Sequence, residues 1–382
     1  MKLLFVSNQR LPTEKAYGRQ IATMCLNFAK IPGVDLELVY PSRHNIIQDD
    51  LFEYFGIEKN FKVSKVKAPD FYASGWLELI AFGMKNLLSA LILARAVLSR
   101  KPDLVYSRDE LPLYILSFFR KDLILEAHKV QNPRLFMYRR LRNCDVRIVA
   151  ISRGLQDAFI ELGFSTRNIF VAPDGVDAAV VWREEKNPSD KQAVRLKLGL
   201  PTDKKIAVYA GSLFAWKGIY TLVDAAKLLP EIYFLIVGGD RRGDEDDVRR
   251  YLAEKNIGNA TITGYIRSEE TIRDYLSAAN VLLLPNTAKD KVSLVYTSPL
   301  KLFSYMAARR PIVASDLPSL REILDEHNSV LVKPDDAQAL AEGIKKILGN
   351  PITADLMSEA AFRDVKQYTW EKRAEHILEF LS

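Results

Sequence analysis

An α/β protein built from two parallel-sheet domains is what this sequence predicts, and three observations carry the prediction. Its 382 residues exceed what a single ordinary core of about 150–200 residues organises. Near-continuous apolar runs alternate with amphipathic stretches, the order required when helices cover both faces of a parallel sheet. The plan appears twice, with a charged stretch from 182 to 203 carrying Pro188 and Pro201 in between.

In chain order, LLFVS (3–7) reads as a strand and 19–30 as an apolar-periodic helix. LELVY (36–40) is the second strand, followed by a loop-rich region and the long apolar stretch 76–98. DLVYS (103–107), DLILEAH (122–128), a helix over about 133–143 and VRIVAIS (146–152) follow. Ser152 is placed to cap a helix running to Glu161, and NIFVAP (168–173) closes the first half. In the second half, KIAVYAGS (205–212), YFLIVGGD (233–240), ATITGYI (260–266), NVLLLPN (280–286), PIVAS (311–315) and SVLVKP (329–334) are strands. The segment 352–382 is helical, broken at Tyr368-Thr369-Trp370. The expected domains are Rossmann-like: 1–176, 177–355, and a C-terminal helix, 356–382, packing back on the first. Such sheets bind ligands at the carboxyl ends of their strands, and a cleft between the domains is the expected seat.

A hydrophobic fraction of 48% with 10% aromatics describes a globular chain. Two cysteines, Cys25 and Cys144, exclude a disulfide framework and a cysteine-rich metal site, and favour a reducing cytoplasm. The apolar start MKLLFV is too short for a signal peptide. Glu78, Lys85, Asn86 and Arg95 interrupt the stretch 76–98, whereas a spanning helix needs about 20 residues largely free of charge. A soluble helix or helix pair is expected there, with a membrane-surface role as the alternative. Residues 1–174 hold 25 Lys+Arg against 18 Asp+Glu, a balance of +7, while 175–382 hold 29 against 30. The densest basic cluster, Arg134, Arg139, Arg140 and Arg142, reads either as a solvated helix face or as attraction to anionic headgroups or a phosphorylated acceptor. No nucleic-acid motif accompanies it.

The most informative stretch is YTSPLKLFSYMAARRPIVAS (296–315). Ser298 and Pro299 make an N-cap and a first-position proline. Leu300, Phe303, Met306 and Ala307 repeat at helical spacing, and Pro311 ends the helix. A helix start gathers unpaired N–H groups, suited to a phosphate, and Lys301 adds a full charge. A capped structural helix accounts for these twenty residues equally well.

A dinucleotide oxidoreductase would need G-x-G-x-x-G after a strand. Here the first strand leads to one glycine, Gly18, and Gly238-Gly239 lack the third. The chain instead resembles the retaining GT-B glycosyltransferases known as glycosyl transferases group 1. The resemblance runs through PTEKAYGRQI (12–21), LEAHK (125–129), VAPDGVD (171–177), YAGSLFAWKG (209–218), FLIVGG (234–239), SPLKLFSYMAARRPIVASDLPSLREIL (298–324) and TWEKRA (369–374). It implies transfer of a sugar from a nucleotide diphosphate sugar, UDP- or GDP-linked, with retention and without a metal or other cofactor.

By that resemblance, Lys217 and Lys301 would hold the diphosphate, whose charge grows as the glycosidic bond breaks. Gly211 would keep the backbone close to the phosphates, with Ser212, Gly238 and the helix start Ser298-Pro299-Leu300 beside it. Tyr265 and Ile266 would line the nucleobase pocket, and Gly18 lies on a loop that approaches the phosphates and acceptor. His128 would reach the donor sugar; Glu126 is expected on the opposite face of its strand, in a supporting or structural place. Taken singly, Lys217 reads as a turn lysine and His128 as a structural histidine. Three positions depart from the family pattern. Tyr296 and Ser304 stand where two glutamates are usual, the second of them binding ribose. Arg309 replaces a glycine, and Ser212 an arginine.

The expectation is therefore a cytoplasmic hexosyltransferase, with peripheral attachment at the inner face of the plasma membrane as an accompanying candidate. Its partners would be a nucleotide-sugar donor, a carbohydrate or lipid-linked acceptor of surface polysaccharide or glycolipid assembly, and an anionic membrane surface. The alternatives are a weakened GT-B protein that binds nucleotide sugar or a partner transferase, and a nucleotide-sugar epimerase.

Overall fold

The computed structural model describes residues 1–131, 134–186, 190–239 and 243–381. Pro133, Pro188, Asp240 and Ser382, each part of an expected segment, lie outside the described residues. Met1–Ile151, Leu155–Ala172 and Trp370–Ser382 form one compact unit, and Ser152–Gly154 with Pro173–Thr369 form the other. These limits differ from the expected 1–176, 177–355 and 356–382. Val176 donates its N–H to the Tyr368 carbonyl at 2.9 Å, which ties both residues into the second unit.

The first unit runs β1 (Lys2–Val6), α1 (Ala16–Lys30), β2 (Asp35–Ser42), α2 (Leu51–Phe55), β3 (Lys62–Lys67), α3 (Leu77–Arg100), β4 (Leu104–Ser107), α4 (Glu110–Leu116), β5 (Leu123–Ala127), α5 (Leu135–Asn143), β6 (Arg147–Ala150), α6 (Arg153–Glu161, from Leu155 onward) and β7 (Ile169–Val171). Its strands lie in the order β3-β2-β1-β4-β5-β6-β7, all parallel. β3, KVSKVK, was expected as loop. It is an edge strand whose lysines alternate with valines, so it carries no apolar run. The stretch 76–98 forms one helix, α3, rather than a pair.

The second unit runs α7 (Ala178–Lys186), α8 (Lys191–Leu198), β8 (Ile206–Ala210), α9 (Ile219–Lys227), β9 (Tyr233–Val237), α10 (Asp244–Glu254), β10 (Ala260–Ile262), α11 (Glu269–Ser277), β11 (Val281–Leu284), α12 (Leu300–Ala307), β12 (Ile312–Ser315), α13 (Pro318–Arg321), β13 (Val330–Val332), α14 (Ala337–Leu348) and α15 (Pro351–Val365). The final helix, α16 (Trp370–Leu381), belongs to the first unit and packs on α1. The second sheet, β10-β9-β8-β11-β12-β13, is also wholly parallel. Alternate residues of its strands face two cores. Val208, Leu282 and Ile312 meet Leu302, Phe303 and Met306 of α12, while Ala207, Phe234 and Val313 meet Leu222 of α9 and Ile344 of α14. Two Rossmann-like domains are thus the observed architecture. In both sheets the strand order reverses beside the first strand of the unit, which sets a crevice at the carboxyl ends of β1 and β4, and of β8 and β11.

Gly218 lets the turn after β8 lie against the end of β11. Its φ is +75°, and an added Cβ would stand 1.7 Å from the Pro285 carbonyl oxygen. Gly33, at φ +82°, faces open space. Gly33→Ala should cost only the left-handed backbone term, about 1–2 kcal/mol, and Gly218→Ala clearly more. Urea unfolding of the two variants measures this; equal costs would mean that the backbone approach at Gly218 constrains nothing.

Candidate functional site

In the second unit the ends of β8, β9 and β10 converge through their backbones. Gly211 donates its N–H to the Val237 carbonyl at 2.9 Å, and Gly238 donates to Thr263 Oγ1 at 3.1 Å. A Cβ on Gly238 would meet the Gly211 carbonyl oxygen at 2.4 Å, so the two chains touch. Gly238 also bridges to Gly264, which leads into Tyr265 and Ile266. Ile266 packs against the core, and Tyr265 is exposed. Both therefore follow β10 at the carboxyl ends of the strands.

Helix α12 is fixed to the same edge. Ala210 donates its N–H to the fully buried Tyr305 hydroxyl at 2.6 Å. Lys301 lies four residues earlier on the same helix face. Its ammonium sits 4.0 Å from the centre of the Tyr209 ring, and a Cβ added to Gly211 would stand 3.8 Å from the Lys301 Cδ. That ammonium is buried without a hydrogen-bond partner among the described residues. Burial, and then the neighbouring Lys217, push its pKa well below the ordinary lysine value. Lys217, in the short turn after β8, donates to Ser212 Oγ at 2.6 Å, and burial lowers its pKa to about 8. Two ammonium groups thus share an apolar corner, and neither forms an ion pair among the described residues. No side chain caps the first turn of α12. The corner suits a polyanion that supplies the missing negative charge.

The helix start differs from the sequence expectation. Pro299, at ψ 119°, is the N-cap, and Leu300 is the first helical residue. Ser298 is no cap: its hydroxyl accepts the Asp174 N–H at 2.9 Å. Leu300 is half-buried. Ser304 turns its hydroxyl back to the Leu300 carbonyl at 3.4 Å and lines a small pocket with Arg183 and Asp274. Arg309, at φ 51°, does stand in the left-handed conformation natural to glycine; its guanidinium pairs with Glu359. Asn286, just beyond β11 at the switch point, was not foreseen. It is 1% exposed, with both amide atoms unpartnered among the described residues, and only its place after an apolar strand could have signalled it.

In the first unit, His128 lies immediately after β5. Its Nε2 is 2.7 Å from Glu126 Oε1. Glu126 does not point away, because residues two apart on a strand share a face. This carboxylate is fully enclosed and accepts from Gln20, Tyr106 and, at 3.3 Å, Arg373 of α16. Arg108 donates to Gln20 at 2.5 Å and stands 4.0 Å from the carboxylate. Burial alone would raise the Glu126 pKa; Arg373, His128 and Arg108 reverse this and hold it well below the ordinary value. Burial and Arg108 lower His128 to about 4 against the opposing pull of Glu126. The imidazole is therefore neutral at pH 7, donating Nε2–H to Glu126 and leaving Nδ1 as an acceptor. Gly18 lies in the first turn of α1, where a Cβ would meet Thr13 at 2.4 Å; close packing explains it.

Residues 204–350 match the model of the glycosyl transferases group 1 family. The chain is 28% identical over 234 residues to a Bacillus subtilis (strain 168) protein named as a teichuronic acid biosynthesis glycosyltransferase, TuaC, covering 61% of this chain and 54% of that one. It is 24% identical over 268 residues to the lipopolysaccharide 1,2-N-acetylglucosaminetransferase of Salmonella typhimurium, covering 67% and 66%. The chain thus spans between about half and two thirds of these relatives' own length. Among solved structures, Anabaena HepE in complex with UDP superposes with a TM-score of 0.75 at 18% identity, over 99% of each chain. WaaG, a glycosyltransferase involved in lipopolysaccharide biosynthesis, does so at 0.70 and 13%, over 100% of this chain and 99% of that one. The fold is that of GT-B glycosyltransferases.

Two tests follow from the buried network. His128 holds a proton less readily folded, at about 4, than at its ordinary 6.5, so the unfolded chain binds more protons between these values. Stability should fall as pH drops through this window, and His128→Gln should flatten that limb of the acid-unfolding curve; an unchanged slope would acquit His128. Arg373→Met leaves the Glu126 carboxylate enclosed with less compensation and should cost about 3–5 kcal/mol in urea unfolding. Adding Glu126→Gln should recover part of the loss, and no recovery would show that Arg373 acts by packing alone.

Proposed function

Because residues 204–350 match the glycosyl transferases group 1 model, we propose that this chain is a retaining glycosyltransferase taking its sugar from a nucleotide diphosphate donor. The observation that carries the reading is the Lys301 ammonium, without a hydrogen-bond partner among the described residues and beside Lys217 at the switch point of the second sheet. As the anomeric bond breaks, charge accumulates on the leaving diphosphate. Two preplaced ammonium groups and the uncapped turn of α12 are worth more to that state than to the intact donor. No metal is needed in this scheme, since the protein supplies the cations.

Neutral His128 would serve the donor sugar as a hydrogen-bond acceptor through Nδ1 rather than as a proton carrier. Gly211, Ser212 and Gly238 would give the phosphates a close backbone, and Tyr265 and Ile266 would flank the base. UDP is the favoured donor nucleotide, supported by the UDP complex of HepE. A surface polysaccharide or glycolipid precursor is the favoured acceptor, supported by the names of TuaC and the Salmonella enzyme. Cytoplasmic location belongs to the same reading, supported by two free cysteines. A weakened, nucleotide-binding relative is the second reading. Ser304, hydrogen-bonded to its own helix, favours it, because no carboxylate stands there for the ribose.

Calorimetric titration with UDP, GDP and ADP and their sugars tests the reading, with the product anomer read by NMR. Lys301→Met should leave the ligand-free fold as stable or more stable, since it deletes an unsatisfied buried ammonium. It should lower turnover about 10²–10³-fold. Retained turnover removes Lys301 from the site; no nucleotide binding at millimolar concentration removes the transferase reading. Nucleotide affinity should also fall above pH 8, by up to about tenfold per pH unit, as Lys217 loses its proton. A flat profile to pH 9.5 would place Lys217 away from the phosphates.

A further inference from the structure

Helix α3 has two unlike faces. Ser89, Ala90, Leu93, Ala94 and Val97 repeat at helical spacing and are buried, and the helix packs on β2 and α4. The remainder is apolar yet exposed. Its 24 residues include an 18-residue window of mean hydropathy 1.7, of which only 33% is buried. The exposure concentrates at the start of the helix, where Leu79 is 81% and Trp76 78% exposed, with Phe82 and Met84 beside them. Met84, Leu87 and Leu91 carry the stripe onward along the solvent side. An apolar surface of this extent is rare on a soluble monomer and marks a docking face.

Apart from Glu78 in the first turn of α3, the exposed charges named around this face are basic. β3, which also packs on α3, presents Lys62, Lys65 and Lys67 and no acid. α3 itself exposes Arg95, and α5, packed on α4, exposes Arg139. Two copies apposed through this face would bring like charges together, whereas anionic headgroups would complement them. Spanning is a poor fit, because Lys85 is buried on the packed face in an ion pair with Asp70 at 3.3 Å. One face held to a protein core and the other apolar with a cationic flank is the pattern of a helix lying in an interface plane.

We propose that the exposed face of α3, led by Trp76, Leu79, Phe82 and Met84, seats the first unit in the surface of an anionic lipid bilayer. The inference stands on α3 and its basic neighbours and is independent of the transferase reading.

Sedimentation of the full chain with vesicles tests it. The chain should pellet with vesicles of equal parts phosphatidylcholine and phosphatidylglycerol, and much less with phosphatidylcholine alone. Leu79→Glu with Phe82→Glu should lower partitioning about tenfold or more without altering thermal unfolding. The fluorescence of Trp76, taken as the difference from a Trp76→Phe variant, should shift to the blue on mixed vesicles. Wild-type chain left in the supernatant, equal partitioning of the double variant, or an unshifted Trp76 would each overturn the proposal. Equal binding to both vesicle types would overturn its anionic part. A wild-type dimer by light scattering that the double variant converts to monomer, without vesicle binding, would make the face a contact between copies instead.

Discussion

Two like charges kept close together in an apolar corner are the constraint on which the second unit turns. Burial depresses the proton affinity of both Lys301 and Lys217, and Lys217 depresses that of Lys301 further. A hydrogen bond from Lys217 to Ser212 and the Tyr209 ring beneath Lys301 offset only part of that cost, because no carboxylate pairs with either group among the described residues. The arrangement persists because larger forces fix its frame: the parallel sheet sets β8 beside β11, the Tyr305 hydroxyl anchors α12 to Ala210, and the glycines 211 and 238 bring backbones into contact. The electrostatic cost is carried by the hydrophobic cores on both sides of the sheet. Under the proposed function, a fold that holds positive charge against its own interest has stored part of the binding energy for an anion.

The first unit shows the opposite balance. Glu126 is more enclosed than either lysine, yet three side chains donate to it in addition to His128, and Arg108 stands nearby. That carboxylate is satisfied within its own unit and waits for no ligand. Its effect is to fix the orientation and tautomer of His128 and to keep the ring neutral. One unit therefore presents an unfilled demand for charge, and the other a histidine whose charge state is already decided.

Much of this was legible in the sequence because it depended on local pattern. Strand β8 and helix α12 follow from apolar runs and spacing, which also place Lys217 in the turn after β8 and Lys301 in the first turn of α12. What failed depended on partners distant in sequence. Ser298 has cap chemistry, but Asp174 claims its hydroxyl. Glu126 was assigned the wrong face by a miscount of strand alternation, and its partners on α1, β4 and α16 leave no local trace. β3 was hidden because an edge strand can alternate lysine with valine. The apolar character of α3 was plain, but which of its faces stays uncovered is a property of packing.

The tie between Arg373 and Glu126 has a consequence for the order in which the molecule is made. β5 leaves the ribosome early, and its enclosed carboxylate then has Arg108 but lacks the hydrogen-bonded guanidinium of Arg373 until α16 follows, after the whole second unit. The sheet of the first unit can form on the nascent chain, but its interior stays electrostatically incomplete through most of synthesis. The first domain to be translated is thus the last to be finished.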